Sequence, residues 1–241
     1  DPAGHFPPLP ILQIPQLTQP GSVEERTQLP SFLYQSHEAE LSADDCRLPW
    51  PTTSGPVTGV IARHLGAKTP IRLVASAKSW LCHADVDCRA GILPVGSPDD
   101  VPRISPYDAT RHYLAYIQQA WNHRFPETPL QEQDVVITVP ASFDPAARDL
   151  TVEAARATGL QSLTLLEEPQ AAVYHWLQSH GAEWRKQVGP GDIILVVDVG
   201  GGTTDLSLVT VTETDGNLAL NRIAVGDHIL LGGDNMDLAL A

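Results

Sequence analysis

A strand, a glycine turn and a second strand follow one another between Asp192 and Leu208. Ile193–Val197 is a continuous apolar run, which is typical of a strand buried on both faces. Asp198 ends this run, and Val-Gly-Gly-Gly-Thr-Thr separates it from Asp205, where a second strand pattern begins. Because so short a connection must reverse the chain direction, the pattern predicts an antiparallel β-hairpin.

The residues of this predicted turn favour a phosphate site. Successive glycines allow positive φ and let a ligand approach the backbone N–H groups closely. Phosphate oxygens fit such a concavity, and Asp198 and Asp205 could hold the hydrated Mg²⁺ that accompanies a polyphosphate. An ordinary glycine-rich hairpin with a structural role is the alternative interpretation.

Charge and cysteine content limit the partners and the compartment. A formal net charge of −14 over 241 residues argues against nucleic acid and against anionic membranes as partners. Three cysteines are too few for a disulfide framework and indicate a reducing compartment, so we expect a cytoplasmic protein. Cys82, His83 and Cys88 lack a second Cys-x-x-Cys pair, which disfavours zinc.

The first hundred residues give weak signals for secondary structure. Residues 1–30 are rich in proline, so we expect no helix there and at most an edge strand over Leu12–Leu17. A strand at Ser31–Tyr34, a helix around Val60–Leu65 closed by Gly66, a mostly helical segment over Pro70–Leu81, and loops at 35–56 and 90–104 complete the prediction.

Alternating helices and strands are predicted from residue 105 onward. Ser105-Pro106 is a strong helix start, and Tyr107, Leu114, Ile117 and Trp121 would form the buried face. The following elements are a strand at Val135–Val139, a helix from Asp144-Pro145 to Gly159, a strand at Leu163–Leu166, a helix closed by Gly181, a third antiparallel strand near Asn217–Val225 after the turn Asp215-Gly216, and a helix start at Asp234. This order indicates a parallel strand pair in an α/β layer.

Four segments together resemble the nucleotide-binding domain of the seventy-kilodalton heat-shock (DnaK-type) chaperones. They are DVVITVPASFDPAARDLTVEAARATGL, LLEEPQAAV, DVGGGTTDLSL and LGGDNMD, in that order. The resemblance extends from about Pro30 onward. It implies an α/β, actin-like (ribonuclease H-like) ATPase fold, in which two lobes on mixed sheets hold nucleotide between them.

The resemblance also implies how the chain is divided and that the fold is incomplete here. The expected divisions are a proline-rich remnant of the first lobe (1–30), its outer subdomain (31–104), its core (105–190), the start of the second-lobe core (191–231) and the start of its outer subdomain (232–241). The family's opening D-x-G-T-T turn has no counterpart in residues 1–30, and the chain starts at Asp1 without methionine. We therefore expect a fragment or a processed chain that is itself inactive.

Roles for individual residues follow from the resemblance. Contacts to the phosphates of ATP or ADP would come from Gly200, Gly201, Gly202 and Thr203, with Gly233 close by. Mg²⁺ would be held, mostly through water, by Asp198, Asp205 and Glu168. Catalysis would involve Lys78, which would face the γ-phosphate, together with Glu168, Asp198, Thr203 and Asp205. Pro140 and Arg148 would relay the nucleotide state to another domain.

Each of these roles has a structural alternative. In the structural interpretation, Lys78 is an exposed helix lysine and Glu168 is an acid at a helix start. Arg148 is then a solvated residue that pairs with Asp144.

The function implied is that of a chaperone ATPase domain, which binds MgATP and hydrolyses it to control a peptide-binding domain. Its partners would be nucleotide and, through domains outside this chain, co-chaperones and unfolded peptide. The alternatives are an actin-like filament-forming ATPase, which shares EEP, GGGTT and GGDxMD, and a nucleotide-insensitive interaction module on the same fold.

Overall fold

The computed structural model describes residues 9–37, 39–52, 55–83, 85–214, 217–226, 229 and 231–240. The chain forms two compact units. Unit 1 comprises Asp1–Pro10, Val136–Arg148 and Thr164–Ala241, and unit 2 comprises Ile11–Val135 and Asp149–Leu163. Helices and small sheets mix along the chain, so the protein is of the mixed α/β class. No helix within the described ranges is both long and apolar enough to cross a membrane.

The secondary structure follows the chain in this order. The strands are β1 (Ile14–Gln19), β2 (Ser22–Arg26), β3 (Leu33–Tyr34), β4 (Val57–Thr58), β5 (Leu73–Val74), β6 (Val135–Val139), β7 (Leu163–Glu167), β8 (Ile193–Val199), β9 (Thr204–Thr214) and β10 (Asn217–Val225). The helices are α1 (Val60–Lys68), α2 (Ala77–Trp80), α3 (Pro106–Arg124), α4 (Pro145–Ala157), α5 (Glu168–His180) and α6 (Gly233–Leu240), with 3₁₀ turns at Pro70–Arg72, Leu130–Glu132 and Gly181–Lys186.

The proline-rich start of the described chain forms a hairpin, so the predicted edge strand over Leu12–Leu17 was wrong in extent. β1 pairs with β2 in antiparallel register, and Gly21 takes a positive φ of 70° at the turn. Residues 14–18 of β1 are buried. All five side chains of β2 are exposed and most are polar, so the sequence carried no alternation that could have revealed this strand.

Two short predictions in unit 2 are also corrected. Helix α1 runs past Gly66 to Lys68, because Gly66 lies inside the helix with the Leu73 side chain against it. A Cβ at residue 66 would lie 2.5 Å from Leu73 Cδ1. The predicted helical segment over Pro70–Leu81 is instead a 3₁₀ turn, strand β5 and the short helix α2, because Val74 pairs with Leu33 in the β4-β3-β5 sheet.

Helix α3 begins as predicted but buries a different face. The Ser105 hydroxyl accepts a hydrogen bond from Asp108 N at 2.9 Å, and Pro106 is the first helical residue. The fully buried side chains beyond the first residue are Ala109, Tyr116 and Ala120, whereas the predicted set of larger residues is only half-buried. Alanine allows neighbouring elements to approach the helix axis, and this contact decides the buried face.

The alternation predicted after residue 130 is confirmed. β6, α4, β7 and α5 follow in order, and β6 pairs with β7 in a two-stranded sheet. β8, β9 and β10 form an antiparallel sheet with β9 in the centre. The predicted turn at Asp215-Gly216 lies outside the described residues. Helix α6 begins at Gly233, one residue before the predicted start.

Strand β8 is exposed on one face and half-buried on the other, which corrects the prediction of a strand buried on both faces. Ile193, Leu195, Val197 and Val199 are 53% to 59% exposed. On the central strand, Val209 is 7% exposed and Val211 is fully buried. Helix α5 packs against β8 and β9, so it covers the face that carries Val209. An apolar run shows that a strand can be buried, but not how many faces are covered.

Candidate functional site

The turn between β8 and β9 is closed by its own backbone and held by a later segment. Gly200 N donates to Thr203 O at 2.8 Å, and Gly233 N donates to Gly200 O at 2.9 Å. Thr204 N donates to Ile229 O at 2.9 Å, and its hydroxyl donates to Leu231 O at 2.8 Å. The turn is therefore fixed in unit 1 by the residues that precede and begin α6.

Glycine is required here by close approach of two backbone segments. A Cβ at residue 232 would lie 2.5 Å from Gly200 O and 2.6 Å from Gly201 O, closer than a side chain tolerates. Gly200, the first residue of the triple glycine, does not take the positive φ that the sequence suggested, and neither do Gly232 and Gly233 of the later segment. The glycines therefore let the LGGD segment lie directly against the turn.

The backbone donors of the turn divide into two groups. The N–H groups of Gly200, Thr204 and Gly233 are used within the protein. Within the described part of the chain, those of Gly201, Gly202 and Thr203 make no backbone hydrogen bond. Three successive N–H groups at the tip of the hairpin are thus available to an anion. Of the predicted phosphate contacts, Gly200 and Gly233 have N–H groups that are already engaged.

Two carboxylates face each other at the base of the turn. Asp198 and Asp205 are direct partners in the β8–β9 register, so their side chains lie on the same face of the sheet. Asp205 is 2% exposed, and the Ser142 hydroxyl donates to its Oδ1 at 2.5 Å. Asp198 is half-buried. Ser142 lies in the segment DVVITVPASFDPAAR but was not predicted as a site residue, because 63 residues separate it from Asp205.

Glu168 is the first residue of α5, the helix that packs on β8 and β9. Pro169 follows it and is buried, which fits the first turn of a helix. An acid at this position is favoured by the partial positive charge of the helix start. The structural interpretation of Glu168 and the predicted metal role are therefore compatible.

Among the described residues, no group of three or more His, Cys, Asp or Glu side chains is placed to hold a metal ion directly. The prediction for Asp198, Asp205 and Glu168 was contact mostly through water. The Cys82 thiol donates to Ser79 O at 3.2 Å, and the Cys88 thiol donates to Trp80 O at 3.4 Å.

Arg148 is engaged in a charge network, which replaces the alternative of a solvated residue paired with Asp144. Its Nη2 donates to Glu167 Oε1 at 2.9 Å and its Nε to Phe143 O at 3.0 Å. Arg222 on β10 lies against the other oxygen of Glu167. Asp144 instead accepts from Ala147 N at 2.7 Å and caps α4.

The roles of Glu167 and Arg222 could not be predicted from sequence. Glu167 precedes Glu168 in the EEP segment, and Arg222 belongs to none of the four segments that carry the resemblance. Pro140, the other predicted relay residue, is fully buried.

Lys78 lies on the exposed side of α2 in unit 2. Ser76, which precedes this helix, takes a left-handed φ of 53°. The structure thus places Lys78 on a different unit from the hairpin, and its catalytic role stays a prediction.

Comparisons with a family model and with individual proteins indicate the same protein family. The family model described as Hsp70 protein matches residues 114–241. A chaperone protein HscA of Photorhabdus laumondii is 34% identical over 200 residues, covering 78% of this chain and 30% of that protein. HscA homologues of Actinobacillus pleuropneumoniae and Bordetella pertussis are also 34% identical, covering 76% and 72% of this chain. The chain spans 27% to 30% of the length of these relatives.

Proposed function

The chain belongs to the Hsp70 protein family, and on that premise we propose that it is part of the nucleotide-binding domain of a chaperone ATPase with an actin-like fold. In this proposal the full-length protein is cytoplasmic and binds MgATP. It hydrolyses the nucleotide to control a peptide-binding or partner domain outside this chain, where co-chaperones and unfolded peptide would bind.

One observation carries the proposal. The three N–H groups of Gly201, Gly202 and Thr203 make no backbone hydrogen bond to a described residue, and they stand above two carboxylates that pair across β8 and β9. An ordinary hairpin turn has no need for three open donors next to two acids. A polyphosphate with its cation would satisfy both groups at once.

The residues present fit a hydrated Mg²⁺ with a polyphosphate. Asp205 is buried and oriented by Ser142, so its carboxylate is fixed before any ligand arrives. Asp198 is half-buried, so its oxygens can hold water molecules. Bound Mg²⁺ would neutralise the charge on the phosphate oxygens. The Gly201, Gly202 and Thr203 N–H groups would donate to those oxygens.

The proposed chemistry is in-line attack of water on the γ-phosphate. Asp198 would accept a proton from that water, and Glu168 would help to orient it. Lys78 would contribute an ammonium group, whose charge needs no fixed direction to stabilise the transferred phosphoryl group. Thr203 would hold the phosphate from the turn.

The network around Glu167 supports a relay role for Arg148. Its guanidinium joins the start of α4 to the end of β7, and Arg222 joins the same carboxylate from β10. A change at the hairpin sheet would therefore reach Arg148, which also contacts Ala141 O, next to Pro140 in the chain.

Family membership favours a chaperone over a filament-forming ATPase. The remaining alternative is a module that kept the fold and lost nucleotide binding. The N–H groups of Gly201, Gly202 and Thr203, which make no backbone hydrogen bond to a described residue, argue against it, because they leave a place for an anion at the turn.

The test uses the full-length protein and adds a side chain to the turn. Gly201→Ala with Gly202→Ala should block close approach of phosphate, so MgADP should no longer raise the melting temperature. Gly189→Ala is the matched control, because a Cβ there meets nothing within 4 Å. If wild type and turn variant respond equally to MgADP, the hairpin is not the phosphate site.

A further inference from the structure

Unit 2 contains a cleft of ≈650 Å³ that the proposed ATPase does not use. Its apolar wall includes Leu48, Trp50, Val57 and Tyr116. Trp50 meets Tyr116 edge to face, with ring centroids 5.4 Å apart. The volume falls within the range of small-molecule sites, roughly 300–1,000 Å³.

Most of the cleft is built from a part of the chain that the family model does not match. That match begins at residue 114, and all but three of the lining residues precede it. Residues 46–52 and 55–58 contribute to one side, and the first half of α3 contributes to another. The cleft therefore lies mostly outside the part of the chain that the family model matches.

The polar side of the cleft is positively charged, although the chain as a whole has a negative net charge. Arg89, Arg103 and Arg111 all line it, out of 15 lysines and arginines in a chain of net charge −14. Asp108 is the carboxylate among the described lining residues. Three guanidinium groups around one cleft attract an anionic ligand and repel a cationic one.

Two of these arginines keep donors for such a ligand. Arg89 is occupied, because it donates to Glu153 at 2.5 Å and stacks on Tyr107. Arg103 donates to the backbone and hydroxyl of Ser97, and its nearest carboxylate contact is 3.8 Å from Asp99.

Arg111 has one long contact, 3.4 Å from its Nε to Asp108 Oδ1. Arg103 and Arg111 are 42% and 46% exposed, so their terminal amino groups can turn into the cleft. Neither guanidinium is saturated by protein acceptors among the described residues.

His112 contributes shape and not charge to this wall. Its Nε2 lies 3.0 Å from the Thr58 hydroxyl. Burial, with a smaller effect from the nearby Arg111, lowers the pKa of the imidazole, so the ring is neutral at pH 7. A neutral ring leaves the arginines as the charged groups of the wall.

We propose that this cleft binds a small organic carboxylate. Its apolar, ring-sized body lies against Trp50 and Tyr116, and its carboxylate is held by Arg103 and Arg111. Guanidinium groups match the two oxygens of a carboxylate, and charge-assisted hydrogen bonds of this kind are the strong ones. The site is separate from the proposed phosphate turn, which belongs to unit 1.

Calorimetric titration with three ligands of the same shape tests the charge requirement. Indole-3-acetate is the carboxylate probe, indole-3-acetamide is neutral and tryptamine is a cation. We expect the carboxylate to bind, and the other two to bind about tenfold more weakly or worse, because they lose a charge-assisted hydrogen bond. Equal binding of all three, or no binding of indole-3-acetate at about 1 mM, would overturn the proposal.

Variants then place the ligand in the cleft. Arg103→Gln with Arg111→Gln should weaken indole-3-acetate about tenfold. Arg63→Gln with Arg124→Gln removes the same charge from exposed positions outside the cleft and should leave the affinity unchanged. Arg111→Gln alone should weaken binding several-fold and does not disturb the loop that Arg103 holds.

Two further results would contradict the site. Equal losses in the cleft and control pairs would mean that the ligand responds only to net charge. Competition by MgADP would place the carboxylate at the proposed nucleotide site, whereas we expect the two ligands to bind independently.

Discussion

Asp198 and Asp205 are paired across two strands but have different surroundings. Asp205 is buried and receives a hydrogen bond from Ser142, so its position is set by the fold. Asp198 is half-buried at the end of β8. In the proposed site, Asp205 would therefore keep a fixed position, and Asp198 would be the carboxylate that can exchange protons or water with a ligand.

Lys78 can be tested by removing its amino group in the full-length protein. Lys78→Ala should leave nucleotide binding largely intact and slow single-turnover hydrolysis on the order of 10²–10³, by analogy with loss of one preorganised donor. Lys68→Ala, at an exposed position on α1, is the control. Hydrolysis near the wild-type rate would identify Lys78 as a surface lysine.

His112 gives a prediction about pH. Because its pKa is lowered in the folded state, the unfolded chain binds more protons as the pH falls below the ordinary value of 6.5. The free energy of unfolding should therefore decrease from pH 7 towards pH 5.5, and His112→Gln should flatten this slope in urea titrations. An identical slope in both proteins would show that His112 does not contribute to it.

The elements that could be predicted from sequence are those with a local start or stop signal. Ser105-Pro106, Asp144-Pro145 and Glu168-Pro169 each begin a helix, as expected from proline in the first turn, and Ser105 and Asp144 also accept a capping hydrogen bond. Strand β2 could not be predicted because its side chains are all exposed. The extent of burial of β8 could not be predicted either, because the number of covered faces depends on which elements pack against the strand.

The candidate site was predictable only in part for a related reason. The turn and its acids are contiguous in sequence, so their chemistry can be read directly. The side chains that contact the acids of this region come from distant positions in the chain. Ser142 donates to Asp205 of the turn, and Arg222 pairs with Glu167 at the end of β7. Such pairs depend on tertiary packing and leave no local pattern.

The two faces of the hairpin sheet can be compared with one substitution. Val209→Thr places a hydroxyl on the buried face and should lower the free energy of unfolding by about 1–3 kcal/mol. Val197→Thr makes the same change on the exposed face and should alter stability by less than about 0.5 kcal/mol. Val197 and Val209 are 56% and 7% exposed. Urea unfolding measures both, and equal losses would mean that both faces are covered.

The molecule as a whole is strongly acidic, which bears on how it could hold a nucleotide. With a net charge of −14, a bound polyphosphate needs a cation and local backbone dipoles. In the proposed phosphate site, the N–H groups of the hairpin turn would supply the dipoles. Such a site would let an acidic chain bind an anion without basic side chains at the turn.

The isolated 241-residue chain should bind MgATP more weakly than micromolar and show no appreciable turnover. Its sequence contains no D-x-G-T-T turn, the other half of the phosphate clamp that the family resemblance leads us to expect. Isothermal titration calorimetry measures this directly. A micromolar or tighter dissociation constant would mean that the hairpin at 198–205 holds the nucleotide without that second turn.

Asp198→Asn in the full-length protein tests the assignment of the hairpin most directly. The amide keeps the size of the side chain but weakens its hold on Mg²⁺ waters and removes a proton acceptor. We expect the variant to melt at the same or a higher temperature without ligand, because one of two facing charges is gone, and to lose most of its ATPase activity. Asp192→Asn, at the other end of the hairpin sheet, is the control. Melting well below wild type would identify Asp198 as a structural partner, and unchanged melting with unchanged turnover would mean that the hairpin is only a turn.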